Sequence, residues 1–223
     1  MSLAVFFDAG GTLLKVRQSV GITYAEFAAR YGVKLDVEKV REAFPRVFRS
    51  LHIRDPRSIP RNGDDRAWWH EVVRRCLEIG GWPAGRPTDE VFEALYWHYE
   101  QASCWELFPD TVPVLKRLKE IGIPCYVLSN WDSRLRTILR GLGIYDYFED
   151  HIISAEVGHA KPHAGIYDVA LSRADVRADQ AIMVGNEMEM DVAPPLALGW
   201  RAAFAVDRPR RDLGYLFTLI EGV

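Results

Sequence analysis

A nucleophilic displacement needs an attacking oxygen, a hydrogen-bond donor for the transferring group, a charge neutraliser and a holder for any cation. Residues of these types follow apolar runs in this sequence. Asp8 closes Leu3-Ala4-Val5-Phe6-Phe7 and is followed by Ala9-Gly10-Gly11-Thr12. Ser129-Asn130 closes a run beginning Pro124-Cys125-Tyr126, and Gly185-Asn186-Glu187 closes Ala181-Ile182-Met183-Val184. Lys161 stands in the loop Gly158-His159-Ala160-Lys161-Pro162, which opens a further helix. Asp191 follows Gly185 by six residues, at the expected start of a helix through Leu196 and Leu198. Pro194 and Pro195 are tolerated there, because first-turn donors have no intrahelical partner. If the apolar runs are neighbouring parallel strands, their carboxyl ends gather these groups at one edge of the sheet. Each residue also has a plainer use: Asp8 as a turn acid, Ser129 as a helix cap, Lys161 as an exposed loop residue. Their joint position at strand ends favours a site.

The elements that must hold these groups are legible as periodicities. Short continuous apolar runs ended by glycine or polar residues read as buried parallel strands. Weaker runs of that kind lie at Ile152-Ile153 and Ala202 to Val206. Asp110 can cap a helix through Leu115, Leu118 and Ile121, ended by Gly122. Asp132 or Ser133 can cap another through Leu135, Ile138, Leu139 and Leu142, ended by Gly143. Strand and helix therefore alternate from about residue 106 onward, the pattern of right-handed β-α-β units. Between about 15 and 105 the periodicity is helical, with no convincing strand. Four amphipathic patterns centre on Tyr24, Val40, Trp68 to Leu77, and Val91 to Tyr99. The expected architecture is α/β: a Rossmann-like parallel-sheet core from residues 1–14 and 106–223, and an inserted four-helix domain from 15–105 with its own core. Trp68 and Trp69 are adjacent and face different sides of their helix, one toward the inserted core and the other toward a cleft. Arg49, Arg54, Arg57, Arg61 and Arg66 fall in or beside a loop that also carries Asp55, Asp64 and Asp65, so it is either an anion clamp or a self-paired solvated segment.

Composition removes several function classes. The chain has 223 residues, with 28 Lys plus Arg against 31 Asp plus Glu for a net charge of −3. No basic excess exists to displace counterions, which argues against nucleic acid as the main partner. Three scattered cysteines make no disulfide framework, and Cys125 reads as a small core hydrophobe. The opening apolar run is too short for a membrane span and has no basic leader, so a cytoplasmic protein without a membrane partner is expected. Nothing in the sequence fixes an oligomeric state.

With those motifs in view, the chain resembles the haloacid dehalogenase (HAD) superfamily, in the group with a helical cap inserted after the first strand. Phe6-Phe7-Asp8-Ala9-Gly10-Gly11-Thr12-Leu13 is similar to its first motif and Val127-Leu128-Ser129-Asn130 to its second. Gly158 to Pro162 is similar to its third, and Val184-Gly185-Asn186-Glu187-Met188-Glu189-Met190-Asp191 to its fourth. The segments Ala67 to Val73 and Ser129 to Leu135 further resemble the branch of haloacid-dehalogenase-like hydrolase domain-containing proteins, akin to a rhythmically expressed insect gene product.

The resemblance implies that Asp8 is a nucleophile forming a covalent aspartyl intermediate and that Thr12 supports the turn after it. It implies that Ser129, with Asn130 beside it, donates to the transferring group, and that Lys161 neutralises Asp8 and that group. It further implies that Asp8, the Gly10 carbonyl, Asn186, Glu187 and Asp191 form the region that holds magnesium. Two positions depart from the family pattern. Phosphatases of the superfamily carry a second Asp two residues after the nucleophile, where this chain has Gly10; a lost general acid costs about 10^2- to 10^4-fold. The fourth motif ordinarily begins Gly-Asp, whereas this chain has Asn186, an uncharged oxygen donor. Glu187 either replaces the missing ligand or caps the following turn. His159 and His163, which flank Lys161, are possible substitute acids or simply loop residues.

Three functions are compatible with this reading. The first is magnesium-dependent hydrolysis of a small phosphorylated metabolite with a good leaving group. The second is metal-independent dehalogenation, in which halide departs without an acid. The third is a catalytically silent protein binding a phosphorylated ligand or a protein partner.

Overall fold

In a computed structural model, residues 3–53, 65–206 and 211–221 of the protein are described. The chain runs β1 (Ala4–Phe7), β2 (Leu14–Val16), α1 (Val20–Arg30), α2 (Val37–Ile53), α3 (Arg66–Gly80) and α4 (Asp89–His98). It continues with β3 (Trp105–Leu107), α5 (Thr111–Glu120), β4 (Cys125–Ser129), α6 (Arg134–Gly141), β5 (Asp150–Ile153), α7 (Ser154–Val157) and α8 (Ala164–Ala174). The last elements are β6 (Ala181–Gly185), α9 (Ala193–Ala197), β7 (Ala202–Ala205) and α10 (Tyr215–Glu221).

All five apolar runs are strands of one parallel sheet in the order β5-β4-β1-β6-β7. β1 is central: Phe7 aligns with Val127 of β4 on one side and with Val184 of β6 on the other. A strand in that position is covered on both faces, which is why Ala4 to Phe7 read as apolar without alternation. Phe6 stacks on Tyr126 at 5.0 Å and meets Trp200 at 4.9 Å, with Ile166, Tyr167 and Ala170 of α8 in the same cluster. Each such fully buried side chain stabilises the fold by about 1.5–3 kcal/mol relative to exposure. Cys125 is buried in this unit, and burial pushes its thiol up to about 12, so it is a core residue and not a reactive one.

The chain divides into two compact units, one built from residues up to Lys15 and from Glu106 onward, the other from the described residues between Val16 and Trp105. The second unit holds helices α1–α4 around Tyr24, Val40, Val72, Cys76, Leu77 and Val91. Trp68 and Trp69 sit edge to face at 4.8 Å and both pack against that cluster, so neither is reserved for a cleft by its immediate contacts. Of the arginine segment, Arg54, Arg57 and Arg61 lie outside the described residues. Arg66 is taken up inside the helical unit, paired with Glu93 and seated 4.4 Å from the Tyr96 ring.

Three local features refine the expectations. β2 and β3 form a two-stranded ribbon that the sequence hides, since three residues are too few for a period to show. Asp110 precedes α5 without capping it; its carboxylate accepts instead from Arg211 at 2.8 Å and from the Leu213 backbone at 3.2 Å. Ahead of α6 it is Asp132, not Ser133, that accepts from the Arg134 N–H, at 3.1 Å, while also binding the Arg134 guanidinium. Among the described residues no helix is long and apolar enough to cross a membrane.

Candidate active site

Because β1, β4 and β6 are parallel neighbours, their carboxyl ends carry Asp8, Ser129 and Gly185 side by side. The Asp8 N–H is held by the Val184 carbonyl at 2.9 Å, which extends the β1–β6 ladder to the acid itself. Asp8 Oδ1 accepts from Ser129 Oγ at 2.9 Å and from Lys161 Nζ at 2.9 Å. Both donors converge on one oxygen, and among the described residues no donor reaches Oδ2. The Asp8 side chain keeps 12% of its exposure, whereas that of Lys161 keeps 2%.

Lys161 arrives from the loop after α7, and two hydrogen bonds fix its backbone. Asn130 Oδ1 accepts from the Lys161 N–H at 2.7 Å, and Asn130 Nδ2 donates to the Lys161 carbonyl at 2.9 Å. Asn130 is therefore a positioning residue for the lysine and makes no bond to Asp8. The ammonium also donates to Asp191 Oδ1 at 2.5 Å, so it is shared between two carboxylates. Burial alone would lower the lysine pKa, but Asp191 and Asp8 in contact raise it above its ordinary value. Burial raises Asp8 above the usual carboxylate range, opposed by Lys161 and reinforced by Asp191.

Asp191 lies in a π-helical turn, Met188–Val192, ahead of α9 and not in that helix's first turn as the periodicity suggested. The wide turn folds its carboxylate back onto the end of β6. There Oδ2 accepts from the backbone N–H groups of Asn186 at 3.1 Å and Glu187 at 3.0 Å. Gly185 permits this approach, since a Cβ there would stand 2.1 Å from the Asp191 Cγ. Tyr167 donates its hydroxyl to the Met190 carbonyl, and so pins the same turn from α8. Thr12 does not touch Asp8; its hydroxyl donates to Asn186 Oδ1 at 3.3 Å, linking the loop after β1 to the loop after β6. Glu187 precedes the π turn without a side-chain cap bond, which removes the capping alternative.

The histidines beside Lys161 have structural uses. His163 caps α8, its Nδ1 accepting from the Gly165 N–H at 3.0 Å, and the His159 ring stacks on it at 4.8 Å. Arg211 was not foreseen. It donates to the Thr12 carbonyl at 2.7 Å and to Asp110, with its guanidinium 3.5 Å from the Phe108 ring centre, and so braces the loop that follows Asp8. No sequence signal announces a partner 199 residues away.

The oxygens at the strand ends set how magnesium could be held. Asp191 has its oxygens engaged by Lys161 and two backbone N–H groups, three hydrogen bonds with which a direct bond to the cation would have to compete. Among the described residues no three His, Cys, Asp or Glu side chains form a metal-holding group. What remains is Asp8 Oδ2 with the neutral Gly10 carbonyl and Asn186 amide oxygens, and the Glu187 carboxylate stays a proposed further ligand. One carboxylate with neutral oxygens fits a magnesium ion that takes its other ligands from water and a substrate phosphate, because this cation is commonly held by one or two carboxylates. It does not fit a tightly bound resident ion.

A parallel sheet with a helical insertion after its first strand, and Asp, Ser and Lys meeting at the strand ends, defines a hydrolase of the haloacid dehalogenase-like class. The model of that family matches residues 3–199, and the chain belongs to it. Haloacid dehalogenase-like hydrolase domain-containing protein 3 of Mus musculus is 31% identical over 194 residues, covering 86% of this chain and 77% of that protein. Ribulose-1,5-bisphosphate 5-phosphatase of Halopiger xanaduensis is 30% identical over 210 residues, covering 89% and 82% respectively. Among solved structures, the magnesium-bound HAD-hydrolase YfnB of Bacillus subtilis superposes with a TM-score of 0.76 at 15% identity, covering 99% of this chain and 100% of that one.

Proposed function

We propose that the protein hydrolyses a small phosphorylated metabolite through an aspartyl-phosphate on Asp8. The observation that carries this reading is the convergence of Ser129 and Lys161 on Asp8 Oδ1, which leaves Oδ2 as the attacking oxygen. Oδ2 forms a bond to phosphorus as the bond to the leaving oxygen breaks, and that oxygen keeps the electron pair. Lys161, held charged by its two carboxylates, favours the ionised form of Asp8 against its burial and offsets the negative charge that gathers as the phosphate enters. Water then attacks the aspartyl-phosphate, freeing the Asp8 carboxylate and dihydrogen phosphate. Magnesium on Asp8, the Gly10 carbonyl and Asn186 would supply positive charge to the phosphoryl oxygens. The phosphatase among the relatives supports a phosphate substrate, and Gly10 restricts the choice to leaving groups that need no proton, such as aryl or acyl phosphates.

The test is release of inorganic phosphate from p-nitrophenyl phosphate and acetyl phosphate, with and without magnesium, alongside halide release from 2-chloropropionate. Asp8→Asn is expected to lower phosphate release by at least about 10^3-fold, since removal of a nucleophile leaves only binding and electrostatic effects. Undiminished release by Asp8→Asn would overturn the assignment. Metal-independent halide release without phosphate release would replace it with dehalogenation, a chemistry that the engaged Asp191 also tolerates.

A further inference from the structure

Position 10 is glycine, yet the backbone there does not ask for one, because its φ lies outside the left-handed region. The constraint is space. A Cβ on residue 10 would stand 3.2 Å from Cζ3 and 3.9 Å from Cη2 of Trp131, so a side chain there would crowd the benzo edge of that indole, which would have to give by a few tenths of an ångström. The backbone that carries the ring is fixed. Trp131 follows Ser129 and Asn130, its N–H donates to Ser154 Oγ at 3.1 Å, and its carbonyl accepts from Ser154 Oγ and from the Ala155 N–H, each at 3.1 Å. Two hydrogen-bonding partners at the start of α7 thus hold the residue that crowds a side chain two positions after the nucleophile.

We propose that Trp131 is a specificity-determining residue: its indole stands in place of an acid beside Asp8 and selects phosphates whose leaving group departs as a stable anion. This rests on Asp8 being the nucleophile. With an apolar edge beside Gly10, the leaving oxygen carries away the electron pair unprotonated, which a nitrophenolate or a carboxylate tolerates and an alkoxide does not. The proton released when water opens the aspartyl-phosphate passes to the phosphate itself, so no further reactant is needed. The indole also offers an aromatic edge to a flat leaving group. An acid restored at position 10 should therefore work only when the ring is removed as well.

The experiment compares wild type, Gly10→Asp, Trp131→Leu and the double variant on p-nitrophenyl phosphate and phenyl phosphate. Wild type is expected to prefer the nitrophenyl ester by roughly 100-fold, within the range that a general acid contributes. The double variant is expected to narrow that preference to less than about tenfold, and Gly10→Asp alone to leave it wide. A second readout needs no activity: Gly10→Ala should lower Tm by about 2–4 °C in wild type and by much less in the Trp131→Leu background, because the two sites share one volume. Equal narrowing by Gly10→Asp alone, or a Tm loss unchanged in the Trp131→Leu background, would overturn the role given to Trp131. Absence of any phosphate release that depends on Asp8 would instead remove the nucleophile reading, and the selectivity with it.

Discussion

At the scale of single residues, Asp8 and Asp191 share one ammonium but have different tasks. Asp191 accepts three hydrogen bonds and anchors Lys161; Asp8 has both donors on one oxygen and keeps the other. Asn186 is the residue at which charge can be restored with least disturbance, since its side chain already faces the Thr12 hydroxyl. Asn186→Asp should tighten Mn2+ or Mg2+ binding by roughly tenfold or more, because hard cations respond to ligand charge. Water-proton relaxation with Mn2+ measures this without reference to turnover, and unchanged affinity would place the cation elsewhere. Asp8, Ser129 and Lys161 were legible because strand ends and loop motifs are local in sequence. The engagement of Asp191 was not, since it depends on a π turn that no apolar period encodes, and Trp131 meets Gly10 only through the sheet.

At the scale of elements, β1, β4 and β6 could be read because each is a buried, mostly apolar run, β5 and β7 more faintly because their runs are shorter or less buried, and the four inserted helices because each has an apolar stripe. β2 and β3 were too short to read, and Asp110 was drawn from its helix by Arg211 across the fold. β5 carries a further consequence. Its His151 is 2% exposed, stacked on Tyr145 at 4.2 Å, with Nε2 buried and without a partner among the described residues. Burial and then Arg136 hold its pKa down to about 4, with Arg140 adding to the effect and Asp150 and Glu156 opposing it. The folded ring therefore stays neutral as pH falls through 6.5, while the unfolded chain takes up a proton. Stability contributed by this residue is present above about pH 6.5 and lost between there and about pH 4, amounting to about 2–3 kcal/mol. Urea unfolding at pH 7.5 and 4.5 should show that loss in wild type, and His151→Phe should show a smaller one; an equal loss in both would assign it to other groups.

At the scale of the molecule, two units each have a core of their own. Leu77, fully buried in α3, belongs wholly to the helical one. Leu77→Ala should cost that unit about 2–5 kcal/mol. Native-state hydrogen exchange should then show amides of α1–α4 losing protection while those of β1, β4 and β6 keep theirs; uniform loss would mean that the units unfold together. The sheet, by contrast, depends on a strand that chain order strands early. β1 lies at its centre, yet its neighbours β4 and β6 are encoded roughly 120 and 180 residues later. On a ribosome adding about 5–20 residues per second, β1 would wait at least several seconds for both edges to be taken. The helical insertion is complete before either partner strand is made, so during synthesis this apolar strand stands uncovered on one edge until residue 181 is reached, and a nascent chain paused before that point should be a form that needs a chaperone.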